Sequence, residues 1–299
     1  MEKKLAIVIP FYKIDFFEET LVSLASQTNQ NFNVYIGDDA SPHSPEKLIE
    51  KYNKNTNFYY KRFDHNLGGK GKLSEQWERC IAISDQDEEW MMILADDDYL
   101  STNFVEVFYR KLEHIKKSNI TLLRFKMRRV SEENNFLTDL EQPILYKAQD
   151  YVWDDECHKR FISISENVFA RKIYEEKKFR KYPLAWRVPM MMYMDFSNNG
   201  MVLGINDAFV AIRRSNQQLS WREDVSQYKT QAMELFYFDI INEYGYSFKK
   251  NQNLKFLKVY TYYKTDKRRF KKSLFKLYSE YGGILEVAKF YIRSFKSKK

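Results

Sequence analysis

Five short apolar runs, separated by helix-length stretches of a different periodicity, constrain this chain more than any other feature. Leu5-Ala6-Ile7-Val8-Ile9 stops at Pro10, and Phe32 to Ile36 stops at Gly37-Asp38-Asp39. Trp90-Met91-Met92-Ile93-Leu94 leads into Asp96-Asp97-Asp98, while Phe58-Tyr59-Tyr60 and Thr121 to Phe125 complete the set. Leu5–Ile9 carries no polar residue and reads as a strand buried on both faces, because a strand with one wet face alternates, whereas Phe32–Ile36 alternates weakly. Between them apolar residues recur at helical spacing: Phe17, Leu21 and Leu24, then Leu73, Trp77 and Ile81, then Phe104, Phe108 and Leu112. The rhythm predicts an α/β fold, a mixed and mostly parallel central sheet flanked by helices. Ligands of such sheets sit at the carboxyl ends of the strands, which is where both aspartate clusters fall.

Local signals place some boundaries. Asp15 followed by Glu18 has capping-box spacing and predicts Asp15 as the N-cap of the first helix. Pro42 and Pro45 bracket the start of the next helix, with Leu48 and Ile49 inside it. Beyond Phe125 the pattern loosens, and Glu132 to Asp155 reads as a polar excursion. Ile162 to Ala170, Met201 to Leu203 and Ala208 to Ile212 are further expected strands, and from Gln227 the chain turns helical. The methionines between Met190 and Met194 read as core or as pocket lining.

The charge is unevenly spread. The 299 residues carry a net +8, yet Lys264 to Lys299 alone holds 12 Lys and Arg against 3 Asp and Glu. The preceding residues are almost neutral, with 37 basic against 38 acidic side chains. A neutral body argues against a nucleic-acid partner. The basic tail has two readings: attachment to an anionic membrane surface, with Phe and Tyr at the edges of its apolar stripes, or a helical pair packed back on the body. Leu5–Ile9 is too short for a signal-peptide core, and Cys80 and Cys157 read as reduced thiols. The expectation is a cytoplasmic protein that meets the inner face of the cytoplasmic membrane through its tail.

Two constellations carry chemistry. Three adjacent carboxylates at Asp96, Asp97 and Asp98 repel one another, and Mg²⁺ or Mn²⁺ would compensate while bridging to substrate phosphates. The alternative is a solvated acidic turn before the next helix. Asp38-Asp39 sits where a carboxylate accepts from a nucleobase N–H or a ribose hydroxyl; the alternative is a turn aspartate before Pro42. The cluster Asn66-Leu67-Gly68-Gly69-Lys70-Gly71 fits neither the dinucleotide-binding nor the P-loop glycine pattern. None of His43, His65, His114 and His158 has metal-ligand spacing with another His or Cys.

Taken in order, Ile7–Tyr12, Ser26-Gln27-Thr28, Ile36–Ser41, Asn66-Leu67-Gly68 and Leu94–Asp98 resemble the nucleotide-binding half of the family 2 glycosyltransferases, which have the GT-A fold. Gly200, Ile205-Asn206-Asp207, Arg213-Arg214 and Gln218-Leu219-Ser220 resemble the acceptor half more weakly. The resemblance implies a GT-A domain over residues 1–225, nucleotide-binding over 1–130 and acceptor-binding over 131–225, followed by a basic helical extension over 226–299. It implies that Pro10 and Tyr12 line the nucleotide pocket, with Tyr12 beside the uracil. Asp39 accepts from the base, Asp38 lies beside it, and Asn66, Gly68 and Lys70 approach the ribose and diphosphate. Asp96 and Asp98 form the D-x-D pattern with Asp97 between them, and Asp98 holds the metal.

The implied reaction is inverting transfer of a hexosyl or N-acetylhexosaminyl group from a nucleotide-sugar, a UDP-sugar by preference. The implied acceptor is a surface glycan or lipid-linked glycan such as lipopolysaccharide. Inversion needs a carboxylate base, and the stretch Leu184 to Phe196 departs from the family pattern: it offers only Asp195, several residues late. Ser215 stands where relatives often carry a His that reaches the metal. The missing acid motivates an alternative, a catalytically degenerate binding or scaffold protein on the same fold.

Overall fold

The apolar runs at 5–9, 32–36 and 90–94 lie side by side. In the computed structural model β1 (Leu5–Phe11) pairs in parallel with β2 (Phe32–Asp38) on one side and with β4 (Trp90–Ile93) on the other. β3 (Asn57–Arg62) extends the parallel ladder outside β2. The structure describes residues 4–53, 56–84, 87–115, 118–158, 161–197, 200–214, 225–264, 276–283 and 286. The chain divides into two compact units, Met1–Glu223 and Asp224–Lys299.

Beyond β4 the sheet changes direction. β9 (Asn167–Ala170) runs antiparallel between β4 and β6 (Leu122–Val130), and β10 (Met201–Arg213) returns parallel to β6. The short β5 (Tyr99–Leu100) pairs antiparallel with β10, giving the order β3-β2-β1-β4-β9-β6-β10-β5. The parallel ladder β3-β2-β1-β4 therefore forms the N-terminal half, and the second half is built largely from antiparallel pairs.

Both faces of the sheet are covered. Ile7, Ile9, Val34 and Met92 pack into one core with Phe17, Leu21 and Leu24 of α1 (Phe17–Ala25) and with Phe104 and Phe108 of α4 (Phe104–Ile115). Each such side chain contributes about 1.5–3 kcal/mol when buried. On the other face α3 (Leu73–Ile81) lies against β1 and β2. Its approach requires Gly37, because a Cβ there would lie 2.3 Å from Cys80 Sγ. Further along, Phe169 of β9 packs on Phe196 of α7 (Val188–Phe196), ring centroids 5.1 Å apart. Met190, Met191, Met192 and Met194 of α7 are all buried, so this cluster is core.

Several sequence expectations are corrected here. Asp15 does not cap α1; Phe16 occupies that position and no side chain closes the cap. Glu18 instead accepts from Lys51 Nζ at 2.6 Å and Tyr52 Oη at 2.7 Å, tying α1 to α2 (Glu46–Tyr52). The excursion after Glu132 is ordered as β7 (Phe136–Leu140), β8 (Leu145–Lys147) and α5 (Ala148–His158). β7 leaves Phe136 and Leu137 exposed, so no in–out alternation marks it; Asp139 staples it to β6 by accepting two bonds from Arg128 at 2.8 and 2.9 Å. The strand expected over 162–170 shrinks to β9, because Asn167 turns the preceding residues by donating to the Ser163 carbonyl at 2.9 Å. The two strands expected over 201–203 and 208–212 are one, β10, whose register against β6 shifts between Ile205 and Phe209.

In the second unit α8 (Ser226–Tyr244) packs on α9 (Lys250–Tyr263) through Tyr237 and Phe256, ring centroids 6.0 Å apart. Among the described residues no helix is long and apolar enough to cross a membrane. Most of the basic tail, Ser215 and Gln218–Ser220 lie outside the described residues.

Candidate active site

The carboxyl ends of β1, β2 and β4 bring the two aspartate clusters to one edge of the sheet, as adjacent parallel strands must. Pro10 lies opposite Gly37 in the β1–β2 ladder. The chain then leaves β1 through Tyr12 and Lys13, whose backbone N–H groups donate to Asp96 Oδ2 at 2.8 and 2.7 Å. Tyr12 is exposed, and its carbonyl accepts from Ser41 Oγ at 2.7 Å, so the ends of β1, β2 and β4 are knitted through main-chain and short polar groups.

The aspartate turn is held from every side. Thr20 Oγ1 of α1 donates to the Asp98 carbonyl at 2.8 Å and lies 3.2 Å from that of Asp96. Asp98 is 3% exposed; its Oδ2 accepts from Ser165 Oγ at 2.6 Å and its Oδ1 from the Arg213 backbone N–H at 3.1 Å. Burial is the first cause that lifts the proton affinity of all three carboxylates. Asp96 is pushed up to about 7, with the Asp97 charge adding to burial and the Tyr12 and Lys13 amides opposing it. Asp98 rises well above its ordinary value, again with Asp97 as the second cause. Asp97 rises less freely, because Lys13 and Arg213 supply opposing positive charge.

Asp38 and Asp39 are placed together but are fully engaged. Asp38 is buried; Tyr60 Oη and Arg62 Nη1 each donate to its Oδ2 at 2.7 Å, and the Ser41 N–H donates to Oδ1 at 2.7 Å. Burial and the Asp38 contact push the Tyr60 hydroxyl up to about 12. Asp39 Oδ1 accepts from the Leu67 N–H at 2.7 Å and from Arg79 Nη2, and its Oδ2 accepts from Asn66 Nδ2 and the Gly68 N–H, both at 2.9 Å. Gly68 is needed for that approach, since a Cβ there would lie 2.9 Å from Asp39 Oδ2. The loop 66–68 therefore folds onto Asp39 and supplies three of its donors. Lys70 follows in a single 3-10 turn, Gly68–Lys70, and its side chain lies outside the described part of the structure.

Asp195 is held by an arginine of its own. It is 3% exposed at the end of α7, and Arg180 grips it with two bonds of 2.8 Å, Nε to Oδ2 and Nη2 to Oδ1. Immediately before α7 the backbone is strained: Leu184, Ala185 and Arg187 have φ of 59, 51 and 69°. Leu184 N–H donates to the Gly71 carbonyl at 2.8 Å, which joins this segment to the glycine loop.

The partners Ser165, Arg79, Arg62 and Arg180 escaped the sequence reading. Ser165 and Arg79 reach their aspartates across 67 and 40 residues, distances at which no periodicity links them. Among the described residues no three His, Cys, Asp or Glu side chains gather into a ready-made metal cage.

A parallel N-terminal half continued by a mixed second half, with aspartates at the ends of β2 and β4, defines a GT-A-type glycosyltransferase fold. Residues 6–182 match the sequence pattern of "Glycosyl transferase family 2". The chain belongs to that family. Among curated proteins it is similar to the poly(ribitol-phosphate) beta-N-acetylglucosaminyltransferase TarS of Staphylococcus aureus, 29% identical over 101 residues, 33% of this chain and 17% of TarS. It is also similar to an uncharacterized glycosyltransferase of Rickettsia bellii, 23% identical over 142 residues, 46% of this chain and 19% of that protein. The matched stretches thus span under a fifth of either relative. Among solved structures, S. aureus TarS 1–349 in complex with UDP-GlcNAc superposes with a TM-score of 0.66 at 17% identity, covering 93% of this chain and 80% of that one. The mannosyltransferase PcManGT of Pyrobaculum calidifontis, in complex with GDP-Man and Mn²⁺, gives 0.56 at 9% identity, covering 100% and 81%. These likenesses show the fold.

Proposed function

We propose that this glycosyltransferase moves a sugar from a UDP-linked donor to a hydroxyl of a surface or lipid-linked glycan, with inversion and with Mg²⁺ or Mn²⁺ at the aspartate turn. The observation that carries the reading is the turn itself, where three adjacent carboxylates of raised proton affinity lie beside the ends of β1 and β2. The donor set fits a hard cation. Each Asp98 oxygen accepts one hydrogen bond and keeps a lone pair for the cation, Asp96 Oδ1 and both Asp97 oxygens accept none from another described residue, and Mg²⁺ takes one or two carboxylates plus phosphates and water. Such a site needs no three-ligand cage from the protein. When bound, the cation would neutralise charge developing on the leaving nucleoside diphosphate. The chain's own residues set the geometry: the Tyr12 and Lys13 amides orient Asp96, and Ser165 and Arg213 orient Asp98.

Asp195 remains the proposed base, and serving as one requires Arg180 to release at least one oxygen. That same ion pair favours the second reading, a donor-binding protein that does not turn over. The basic tail is proposed to bring the enzyme to an anionic membrane surface where a lipid-linked acceptor resides. The test is thermal unfolding with UDP- and GDP-sugars, with and without Mn²⁺, followed by donor hydrolysis. A ligand at a hundred times its Kd stabilises by about 2.7 kcal/mol. A Mn²⁺-dependent shift with UDP-sugars and measurable hydrolysis supports the enzyme; a shift without hydrolysis supports the binding protein; no shift with any nucleotide overturns both.

A further inference from the structure

Arg213, the last residue of β10, is 0% exposed, and a guanidinium out of water costs several kcal/mol unless its donors are met. Here they are met almost entirely by main-chain carbonyls. Nε donates to Asp97 O at 3.2 Å, Nη1 to Glu132 O at 2.7 Å and Ser131 O at 3.3 Å, and Nη2 to the carboxylate of Glu19. The plane stacks on Phe16 at 4.2 Å, and the residue's own N–H donates to Asp98 Oδ1. One side chain thus joins the start of α1, the aspartate turn, the β6–β7 turn and the end of β10. Its carboxylate partner Glu19 is 42% exposed, and the guanidinium charge also acts on Asp97.

Ser165 works from the opposite side. Its hydroxyl donates to Asp98 Oδ2 at 2.6 Å while accepting the Ala95 N–H at 3.1 Å, so it fixes the carboxylate and the approach to it together. With both oxygens of Asp98 and the carbonyl of Asp97 held, the turn has little freedom to re-aim its carboxylates.

We infer that Arg213 is a positioning residue for the donor diphosphate: with Ser165 it braces the Asp96–Asp98 turn so that its carboxylates are aimed before ligand arrives. The brace rests on the donor-binding reading above. It acts through other groups and touches no reacting atom. A lysine cannot replace it, because an ammonium lacks the planar fork that reaches three carbonyls and a carboxylate at once.

The experiment titrates UDP with saturating Mn²⁺ into the full chain by calorimetry, comparing wild type with Arg213→Lys, Ser165→Ala and, as control, Arg110→Ala, whose side chain makes an exposed pair with Asp207. Outer-shell partners of such sites are worth about 10–100-fold in affinity. Both brace variants are expected to raise the Kd for UDP about tenfold or more per folded molecule, and Arg110→Ala to match wild type. A purely structural role would lower the unliganded Tm and leave that Kd unmoved. Wild-type affinity in folded Arg213→Lys and Ser165→Ala overturns the brace alone; should Arg213→Lys not fold, Ser165→Ala decides. Failure of wild type itself to bind UDP with Mn²⁺ overturns the donor reading, and the brace with it.

Discussion

Replacing Asp98 separates what its shape does from what its charge does. Asp98→Ala removes the acceptors of two buried donors, the Ser165 hydroxyl and the Arg213 N–H. Each orphaned donor costs about 1–3 kcal/mol. Part of that is offset, because the ionised carboxylate is itself disfavoured by burial and by Asp97. The net expectation is a loss of about 1–3 kcal/mol, and for a unit of this size each kcal/mol lowers Tm by about 2–4 °C. Asp98→Asn keeps an oxygen for the Arg213 N–H and can turn its amide toward Ser165, whose oxygen serves as acceptor. Its unliganded stability should match wild type within about 1 kcal/mol. Both variants lose the anionic ligand, so both should lose Mn²⁺-dependent UDP binding and donor hydrolysis. Scanning calorimetry with and without UDP and Mn²⁺ reads both effects. Equal Tm values for the Ala and Asn variants would refute the hydrogen-bond argument, and Asp98→Asn that binds and hydrolyses like wild type would refute the metal assignment.

Four further outcomes follow from the same contacts. Because Asp96 holds its proton up to about 7 in the folded chain against about 4 when unfolded, ligand-free stability should fall as pH rises across that range, and stabilisation by Mn²⁺ with UDP should grow; a shift equal at pH 5.5 and 8 would contradict this. Gly37→Ala should cost about 1–3 kcal/mol by driving a methyl into Cys80, and Cys80→Ala should restore part of it; denaturant melts decide. Asp195→Asn should lower Tm because Arg180 loses a bidentate partner, and turnover per folded molecule lost with donor affinity intact assigns the base to Asp195, whereas retained turnover removes it. Deleting Lys264–Lys299 should reduce co-sedimentation with anionic vesicles, and unchanged sedimentation would remove the membrane role.

β1, β2 and β4 were legible because each is buried on both faces, so Leu5–Ile9 and Trp90–Leu94 carry no polar interruption, whereas the edge strand β3 leaves Tyr59 exposed. β7 was not legible for the opposite reason: it is held by Arg128 and Asp139 while Phe136 and Leu137 face water. That the two aspartate clusters lie at one edge of the sheet was legible, since each follows a strand of the same parallel ladder. Their partners were not. Ser165 precedes a strand 67 residues from Asp98, and only the reversal of β9 against β4 brings it there. Asp15 shows the limit of local pattern: a capping-box spacing was present, but Glu18 found stronger donors on α2.

The two acid clusters are built on opposite principles, and that bears on where binding strength can arise. At Asp38 and Asp39 each carboxylate oxygen already meets at least one protein donor, with Arg62 and Arg79 supplying charge. A nucleobase N–H arriving at Asp39 must displace one of Leu67, Asn66, Gly68 or Arg79, so the exchange nets little beyond the bond it breaks. At Asp96 and Asp97 protein donors are fewer and proton affinity is raised, so a cation arriving there replaces mutual repulsion with attraction. If the proposed donor binds with its diphosphate at the aspartate turn, its binding free energy concentrates there. On the same proposal, base recognition at Asp39 would require the loop 66–68 to loosen its grip on that carboxylate.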